Sequence, residues 1–246
     1  MNSLSPHLNI MIKACEKASK ILIRDFGELE NLQVSLKGPK DFVTNSDIKV
    51  EKILIDELNK YKKNYSIITE ESGLIENTDK DCFWIIDPID GTINFLHGIP
   101  HFSISIGLKI NNEIVSGIIF DPIKNEMFYA DKNNGSYFNN HRIRVSSKNN
   151  LDECLFGTNN LGVQKTDLNT RVLGSAALDM AYVGAGRLDG FFQTNLNIWD
   201  VAAGIVIVNE AGGKINNINY SKIEKIDIMA SSNNIHQKML KKLNNF

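Results

Sequence analysis

The chain has 246 residues, with 27 Lys and Arg against 29 Asp and Glu, so its formal net charge is −2. This near-neutral charge argues against direct nucleic-acid binding, which normally needs a basic face. Hydrophobic residues make up 42% of the chain, which is ordinary for a globular protein. Three scattered cysteines, no signal-peptide pattern and no apolar run of membrane-spanning length favour a cytoplasmic protein without a membrane anchor.

The hydrophobic periodicity predicts a helix from Ser5-Pro6 to about Phe26, a loop over residues 31–44 and a second helix from about Ser46. Two strands follow, ending at Glu70 and Asp87. Residues 102–138 alternate between apolar and polar and predict an antiparallel meander. After about residue 150 strands alternate with helices, which we expect at 175–184, 199–211 and 233–244.

This order of elements predicts a mixed α+β and α/β fold in two parts. Residues 1–150 would form an α+β half with an antiparallel sheet, and residues 151–246 a smaller α/β half. No linker composition separates the halves, so we expect one compact unit.

The segment from Trp84 to Gly98, W-I-I-D-P-I-D-G-T-I-N-F-L-H-G, carries the strongest functional signal. An apolar run delivers Asp87 and Asp90, after which Gly91 permits a sharp turn and Thr92 is a candidate helix N-cap. The backbone N–H groups of Gly91 and Thr92 would then favour an anion such as phosphate. Acids and an anion can share this space only around cations, so the segment predicts a divalent-metal phosphate site.

A second acidic element ends the strand-like run Y-S-I-I-T at Glu70 and Glu71. Lys80 is the only base between residues 70 and 90, and like charges held close destabilise a fold unless a cation intervenes. Carboxylate oxygens suit Mg²⁺ or Mn²⁺. Adjacent residues leaving a strand point in opposite directions, so Glu71 is the weaker candidate. The other acids of this stretch fit a solvated loop: Glu76, Asp79 and Asp81.

The chain resembles the inositol monophosphatase family of Mg²⁺-dependent, lithium-sensitive phosphatases, which are related to the fructose-1,6-bisphosphatases. Residues 84–98 match its first signature, and L-N-I-W-D-V-A-A-G at 196–204, followed by N-E-A-G-G at 209–213, matches the second. Weaker similarity covers nearly the whole chain. The resemblance implies a layered α-β-α-β-α sandwich and a homodimer.

The resemblance also implies the metal ligands. Glu70, Asp87 and the carbonyl of Ile89 would hold one Mg²⁺, and Asp87, Asp90 and Asp200 a second, with Glu70 contributing to a third, weaker ion. Mn²⁺ is expected to substitute and Li⁺ to inhibit. In isolation, Asp200 would fit an ordinary N-cap at the start of a helix.

For catalysis, the resemblance implies that Glu70, Thr92 and Asp47 act on the attacking water. Thr92 would orient this water and Asp47 would polarise Thr92, while the N–H groups of Gly91 and Thr92 hold the phosphate. By itself Asp47 would pass for a helix cap. Lys37 aligns with a family lysine near the substrate, although a single loop lysine is usually just solvated.

Substrate contacts are implied for Ser175, Ala176, Gln193 and Asp200. Typical inositol monophosphatases carry an acid where this chain has Gln193, and an amide lacks the charge-assisted hydrogen bond to a hydroxyl. The stretch from Leu151 to Arg171 is also short for the family, which would leave a more open pocket.

These observations predict a Mg²⁺-dependent phosphomonoesterase for a small polyol or sugar phosphate, with myo-inositol monophosphate as the default. The alternative substrates are fructose 1,6-bisphosphate, histidinol phosphate and a 3′-phosphonucleotide. An alternative of another class is a non-catalytic binding partner of the transcription machinery.

Overall fold

The structure, a computed structural model, describes residues 4–29, 39–160, 167–216, 218 and 225–243, without the side chains of residues 39–44. The candidate residue Lys37 lies outside this part of the chain. Within it there are six α-helices: α1 Pro6–Gly27, α2 Pro39–Tyr61, α3 Thr92–Leu96, α4 Ala176–Gly184, α5 Ile198–Glu210 and α6 His236–Leu243.

The first sheet takes its strands from residues 65–142, in the order β2-β1-β3-β4-β5-β6-β7-β8. The strands are β1 Tyr65–Thr69, β2 Gly73–Ile75, β3 Asp79–Asp90, β4 Ser103–Ile110, β5 Glu113–Asp121, β6 Glu126–Asp131, β7 Gly135–Phe138 and β8 His141–Arg142. β1 and β3 pair in parallel, and the other described pairs of this sheet are antiparallel. The predicted meander is therefore confirmed.

The second sheet is mixed and has the order β10-β9-β11-β13-β12. Its strands are β9 Leu155–Gly157, β10 Asn169–Arg171, β11 Gly190–Leu196, β12 Gly213–Ile215 and β13 Ile226–Ser232. A short 3₁₀ turn at Leu151–Glu153 precedes it.

The helices form three layers around the two sheets. α1 and α2 pack together on the outer face of the first sheet, α4 and α5 contact strands of both sheets, and α6 contacts β13 from the other side. Adjacent residues of β3 and β11 therefore point into different apolar layers, since Ile85 and Phe191 face the central helices whereas Trp84 and Phe192 face outward. The predicted α-β-α-β-α sandwich is confirmed.

The division into domains at about residue 150 stays a prediction. The two sheets do draw their strands from different halves of the chain. However, α4 and α5 belong to the second half and contact the sheet of the first.

The start of α2 corrects the sequence prediction. The helix begins at Pro39 rather than near Ser46, so the predicted loop is wrong over residues 39–44. Proline is compatible with a first helical position because its missing N–H has no partner there. Ser46 does not cap the helix: its buried hydroxyl donates a hydrogen bond of 2.8 Å to Asp25 on α1. Packing between two helices thus overrides a local capping signal.

Glycines set the distance between α5 and the first sheet. A Cβ atom on Gly117 of β5 would lie 2.7 Å from the Cα of Ala203, and one on Gly107 of β4 would lie 2.8 Å from the Cβ of Ala202. The helix backbone therefore rests directly on these strands. This close approach fixes the height of the amino end of α5, which carries Asp200.

We expect Gly117→Ala to destabilise the protein by about 1–3 kcal/mol, because the added methyl group collides with helix backbone that cannot rotate away. Urea unfolding measures the change in the free energy of unfolding. The matched control is Gly27→Ala, where a Cβ has no neighbour within 4 Å. Equal stability of the two variants would contradict the close packing of α5 on the sheet.

Candidate active site

Parallel pairing brings the first two acids together. Thr69 at the end of β1 is in register with Ile86 of β3, so the next residues, Glu70 and Asp87, leave the two strands side by side. Asp87 is buried and Glu70 lies at the exposed rim of the site. The two carboxyl groups act on each other, since the charge of Glu70 contributes to the raised pKa of Asp87.

An irregularity in β3 places Asp87 and Asp90 on one face. Residues three apart on a regular strand would point to opposite faces. Here Asp87 pairs with Ser105 but Asp90 pairs with Ser103, so three steps on β3 match two steps on β4. The extra residue resets the alternation, as in a β-bulge. The prediction that the strand ends at Asp87 is wrong, because β3 continues through the bulge to Asp90.

Asp90 is anchored to the amino end of α4. Its Oδ2 accepts hydrogen bonds from the hydroxyl of Ser175 and from the backbone N–H of Ala177, the latter 2.9 Å long. Ser175 is also the N-cap of α4 and accepts a bond from the N–H of Leu178. The predicted residues Ser175 and Ala176 are thus placed directly beside Asp90.

The turn after Asp90 differs from the prediction in one detail. Gly91, with φ of 93°, is the N-cap of α3, and Thr92 is the first helical residue rather than the cap. A side chain at Gly91 would meet the carbonyl oxygens of His101 and Gly174 at 3.1 and 3.2 Å, in addition to the strain of a positive φ. Only glycine fits at this position, and the N-cap of α3 is Gly91, one residue before the predicted Thr92.

The hydroxyl of Thr92 donates to the carbonyl of Ile89 at 2.8 Å. The carbonyl of Ile89 is also the predicted backbone ligand of a metal ion, and its oxygen has a second lone pair available. The amide of Ile89 donates to Asp87 Oδ1 at 3.0 Å, which holds the carboxylate against the turn. The expected hydrogen bond between Thr92 and Asp47 stays a prediction.

Asp200 approaches the same site from α5. It is the third helical residue, and its Oδ2 accepts a 2.7 Å hydrogen bond from the N–H of Asn197 in a capping box. The interpretation of Asp200 as the N-cap is therefore wrong, since Asn197 is the N-cap, although Asp200 does take part in capping the helix. The charge of Asp200 also acts on Glu70, Asp87 and Asp90, so α5 carries a fourth carboxylate into the cluster.

Burial and mutual repulsion raise the pKa values of this cluster. Burial is the largest cause for Asp87, whose pKa lies well above its usual value, with the charges of Asp90 and Glu70 next. The pKa of Asp90 is raised to about 7 by burial, against hydrogen bonds that lower it. The pKa of Glu70 is raised to about 7 by burial and by Asp200. Acids held in this way favour either a proton or a cation.

The donor chemistry fits hard divalent cations, since all four side chains offer carboxylate oxygens. Among the described residues, however, no three acidic, histidine or cysteine side chains already stand in a metal-binding geometry. Metal binding would therefore require these side chains to move.

Asp47 lies on α2 behind the cluster and is buried. Burial raises its pKa to about 8, with contributions from Glu71, Glu70 and Glu51. Sequence reasoning missed Glu51, which is also buried and accepts hydrogen bonds from the hydroxyls of Thr69 and Ser72 and the N–H of Glu71. The signal was present in the spacing, because acids at i and i+4 share a helix face. Glu51 fixes the turn that presents Glu70.

A cavity of about 170 Å³ opens beside the carboxylates. Four of the predicted substrate contacts, Ser175, Ala176, Gln193 and Asp200, line it together with Asp90. The other lining residues are Asn159, Gly174, Asp179 and Leu196.

The remaining acids near the first signature have local roles. Glu76 pairs with Lys80 at 3.0 Å, and Asp79 accepts from the N–H groups of Asp81 and Cys82. These acids have no part in the carboxylate cluster, but the loop prediction is wrong for Asp79 and Asp81, which lie at the start of β3.

Comparisons with known proteins agree with this geometry. The profile of the inositol monophosphatase family matches residues 3–245. The inositol-1-monophosphatase of Caulobacter vibrioides is 42% identical, covering 95% of this chain and 99% of the relative. The Nus factor SuhB of Escherichia coli is 40% identical, covering 85% and 84%. The crystal structure of the extragenic suppressor protein SuhB of Bartonella henselae aligns with a TM-score of 0.87 and 42% identity, over 98% and 99% of the two chains. The chain therefore belongs to the inositol monophosphatase family of phosphoric monoester hydrolases.

Proposed function

We propose that the protein hydrolyses myo-inositol monophosphate, or a closely similar small polyol phosphate, with Mg²⁺ held by Glu70, Asp87, Asp90 and Asp200. The observation that carries the proposal is the convergence of these four carboxylates beside a cavity of about 170 Å³. Mg²⁺ bound there would supply charge for the phosphoryl transfer and lower the pKa of a coordinated water. The carbonyl of Ile89 would complete the ligand set.

Side chains and backbone groups of the protein would then bind the substrate and orient the attacking water. The hydroxyl of Thr92 lies 2.8 Å from the carbonyl of Ile89, the proposed backbone ligand of the metal, and would orient the attacking water from there. Asp47 would polarise Thr92, and Glu70 would hold the metal that carries this water. The N–H groups of Gly91 and Thr92 would hold the phosphate oxygens at the start of α3.

The size of the cavity supports a small substrate. About 170 Å³ is small compared with ordinary ligand pockets of roughly 300–1,000 Å³, so one polyol ring fits more readily than a nucleotide. This argues against a 3′-phosphonucleotide. Fructose 1,6-bisphosphate and histidinol phosphate remain the alternatives to test alongside inositol 1-phosphate.

Asp87→Asn is expected to lower phosphate release from myo-inositol 1-phosphate by roughly 100-fold or more, because Asp87 would serve two metal positions. Phosphate release is measured for all four candidate esters with Mg²⁺ and with chelator. Asp131→Asn is the matched control, since Asp131 is also buried but binds Ser116 within the first sheet. Full activity of the Asp87 variant, or of the wild-type chain in chelator, would disprove the metal mechanism.

Mg²⁺ is expected to raise the melting temperature more at pH 8 than at pH 5. The folded-state pKa of Asp90 is raised from 3.8 to about 7, so between these values the folded chain binds more protons than the unfolded chain. Without metal, stability due to this group therefore falls as the pH rises from about 4 to about 7. Above about pH 7 no proton on Asp90 competes with Mg²⁺.

Thermal unfolding at both pH values measures this effect. At saturating Mg²⁺ we expect a gain of roughly 5–10 °C at pH 8 and little at pH 5. Asp90→Asn should remove most of the difference. An equal gain at both pH values in the wild-type chain would contradict the proposed binding site.

A second candidate function is supported by relatives named Nus factor SuhB, among them the Escherichia coli protein at 40% identity. The chain would then bind a protein of the transcription machinery, independently of catalysis. The test is complementation of a strain that lacks the gene by the Asp87→Asn variant. Growth restored by this inactive variant would favour the binding role, and failure despite normal protein levels would favour the phosphatase.

Finer properties belong to the same proposal. We expect Mn²⁺ to replace Mg²⁺, Li⁺ to inhibit, and two copies to form a homodimer. None of the described helices is both long and apolar enough to cross a bilayer. A cytoplasmic location is supported by the three cysteines, which are all free and buried.

A further inference from the structure

The cavity beside the carboxylates contains one acid that the proposed mechanism does not use. Asp179 lies in the first turn of α4 and is only 3% exposed. Its Oδ1 atom is buried and has no hydrogen-bond partner among the described residues. A buried carboxyl oxygen without a partner destabilises a fold, so its presence calls for a role.

The chain makes room for this carboxyl group. A Cβ atom at Gly157 of β9 would lie 2.8 Å from the Cγ of Asp179 and 2.9 Å from its Oδ2. Gly157 sits in a paired strand and has no left-handed backbone conformation that would require glycine. Its missing side chain therefore serves to accommodate Asp179.

The other acids of the cavity, Asp90 and Asp200, already have hydrogen-bond partners. Asp90 binds Ser175 and the N–H of Ala177, and Asp200 completes the capping box of α5. Gln193 stands on the cavity wall with an uncharged amide. Asp179 is thus the acid of this wall whose Oδ1 is buried without a hydrogen-bond partner among the described residues. Rotation about its Cβ–Cγ bond is soft, so either oxygen can turn towards the cavity.

We propose that Asp179 hydrogen-bonds a ring hydroxyl of the substrate and, together with Gln193, selects polyol phosphates over phosphate esters without hydroxyls. This inference rests on the proposed phosphatase function. Burial and the charge of Asp90 raise the pKa of Asp179, so its carboxyl group is able to donate as well as accept. It is a substrate-binding residue of the cavity wall.

The test compares myo-inositol 1-phosphate with cyclohexyl phosphate, which has the same ring and no free hydroxyls. In Asp179→Leu the ratio of kcat/KM for the two esters should fall about 10-fold, carried by a higher KM for the inositol ester. Gly157→Ala should lower the same ratio, because the new methyl group displaces the carboxyl without changing its chemistry. Asp179→Leu should also raise the melting temperature, since a branched apolar side chain of similar shape replaces an unpartnered carboxyl.

Asp189→Asn is the matched control. Asp189 is 1% exposed and likewise has an unpartnered Oδ1, but it binds Lys148 and does not line the cavity. In Asp189→Asn the ratio of kcat/KM for the two esters should equal that of the wild type. An unchanged ratio in active Asp179→Leu, or an equal fall in Asp189→Asn, would overturn this proposal alone. No turnover of either ester by the wild-type chain would overturn the proposed function as well.

Discussion

Repulsion among Glu70, Asp87, Asp90 and Asp200 is the constraint on which the rest of the site depends. Each carboxyl group loses hydration or faces another negative charge, and the pKa of each is raised. The same repulsion favours the binding of a divalent cation, because metal binding replaces an unfavourable contact between carboxylates with a favourable one.

The sandwich fold holds these charges together against their repulsion. Three secondary-structure elements meet at the site. Glu70 follows β1, Asp87 and Asp90 lie at the end of β3, and Asp200 lies in the first turn of α5. The glycines of β4 and β5 allow α5 to approach the sheet closely. Ser175 and α4 bind Asp90 from the opposite side. The rigidity of this packing preorganises the site, which is what electrostatic catalysis requires.

Selectivity and catalysis occupy different walls of one cavity. In the proposed function the carboxylate cluster and the start of α3 would bind the phosphate, whereas Gln193 and Asp179, which line the cavity, would contact the rest of the ester. An amide at residue 193 weakens the charge-assisted recognition expected for the family. A buried carboxyl from the neighbouring helix is positioned to restore it. Such a division would let the reaction stay constant while the preferred alcohol changes.

The sequence by itself determined the family and the identity of the four clustered carboxylates, because two long signatures are local patterns. It gave the layered fold only through the family resemblance, since apolar periodicity predicts helices and strands but not how they stack. It could not place the start of α2 or the end of β3, since helix packing and a β-bulge override local capping and turn signals. The roles of Glu51 and Asp179 were likewise decided only by the tertiary structure. Each is an ordinary helical acid in the sequence, and its role depends on partners, or on the lack of a partner, far away along the chain.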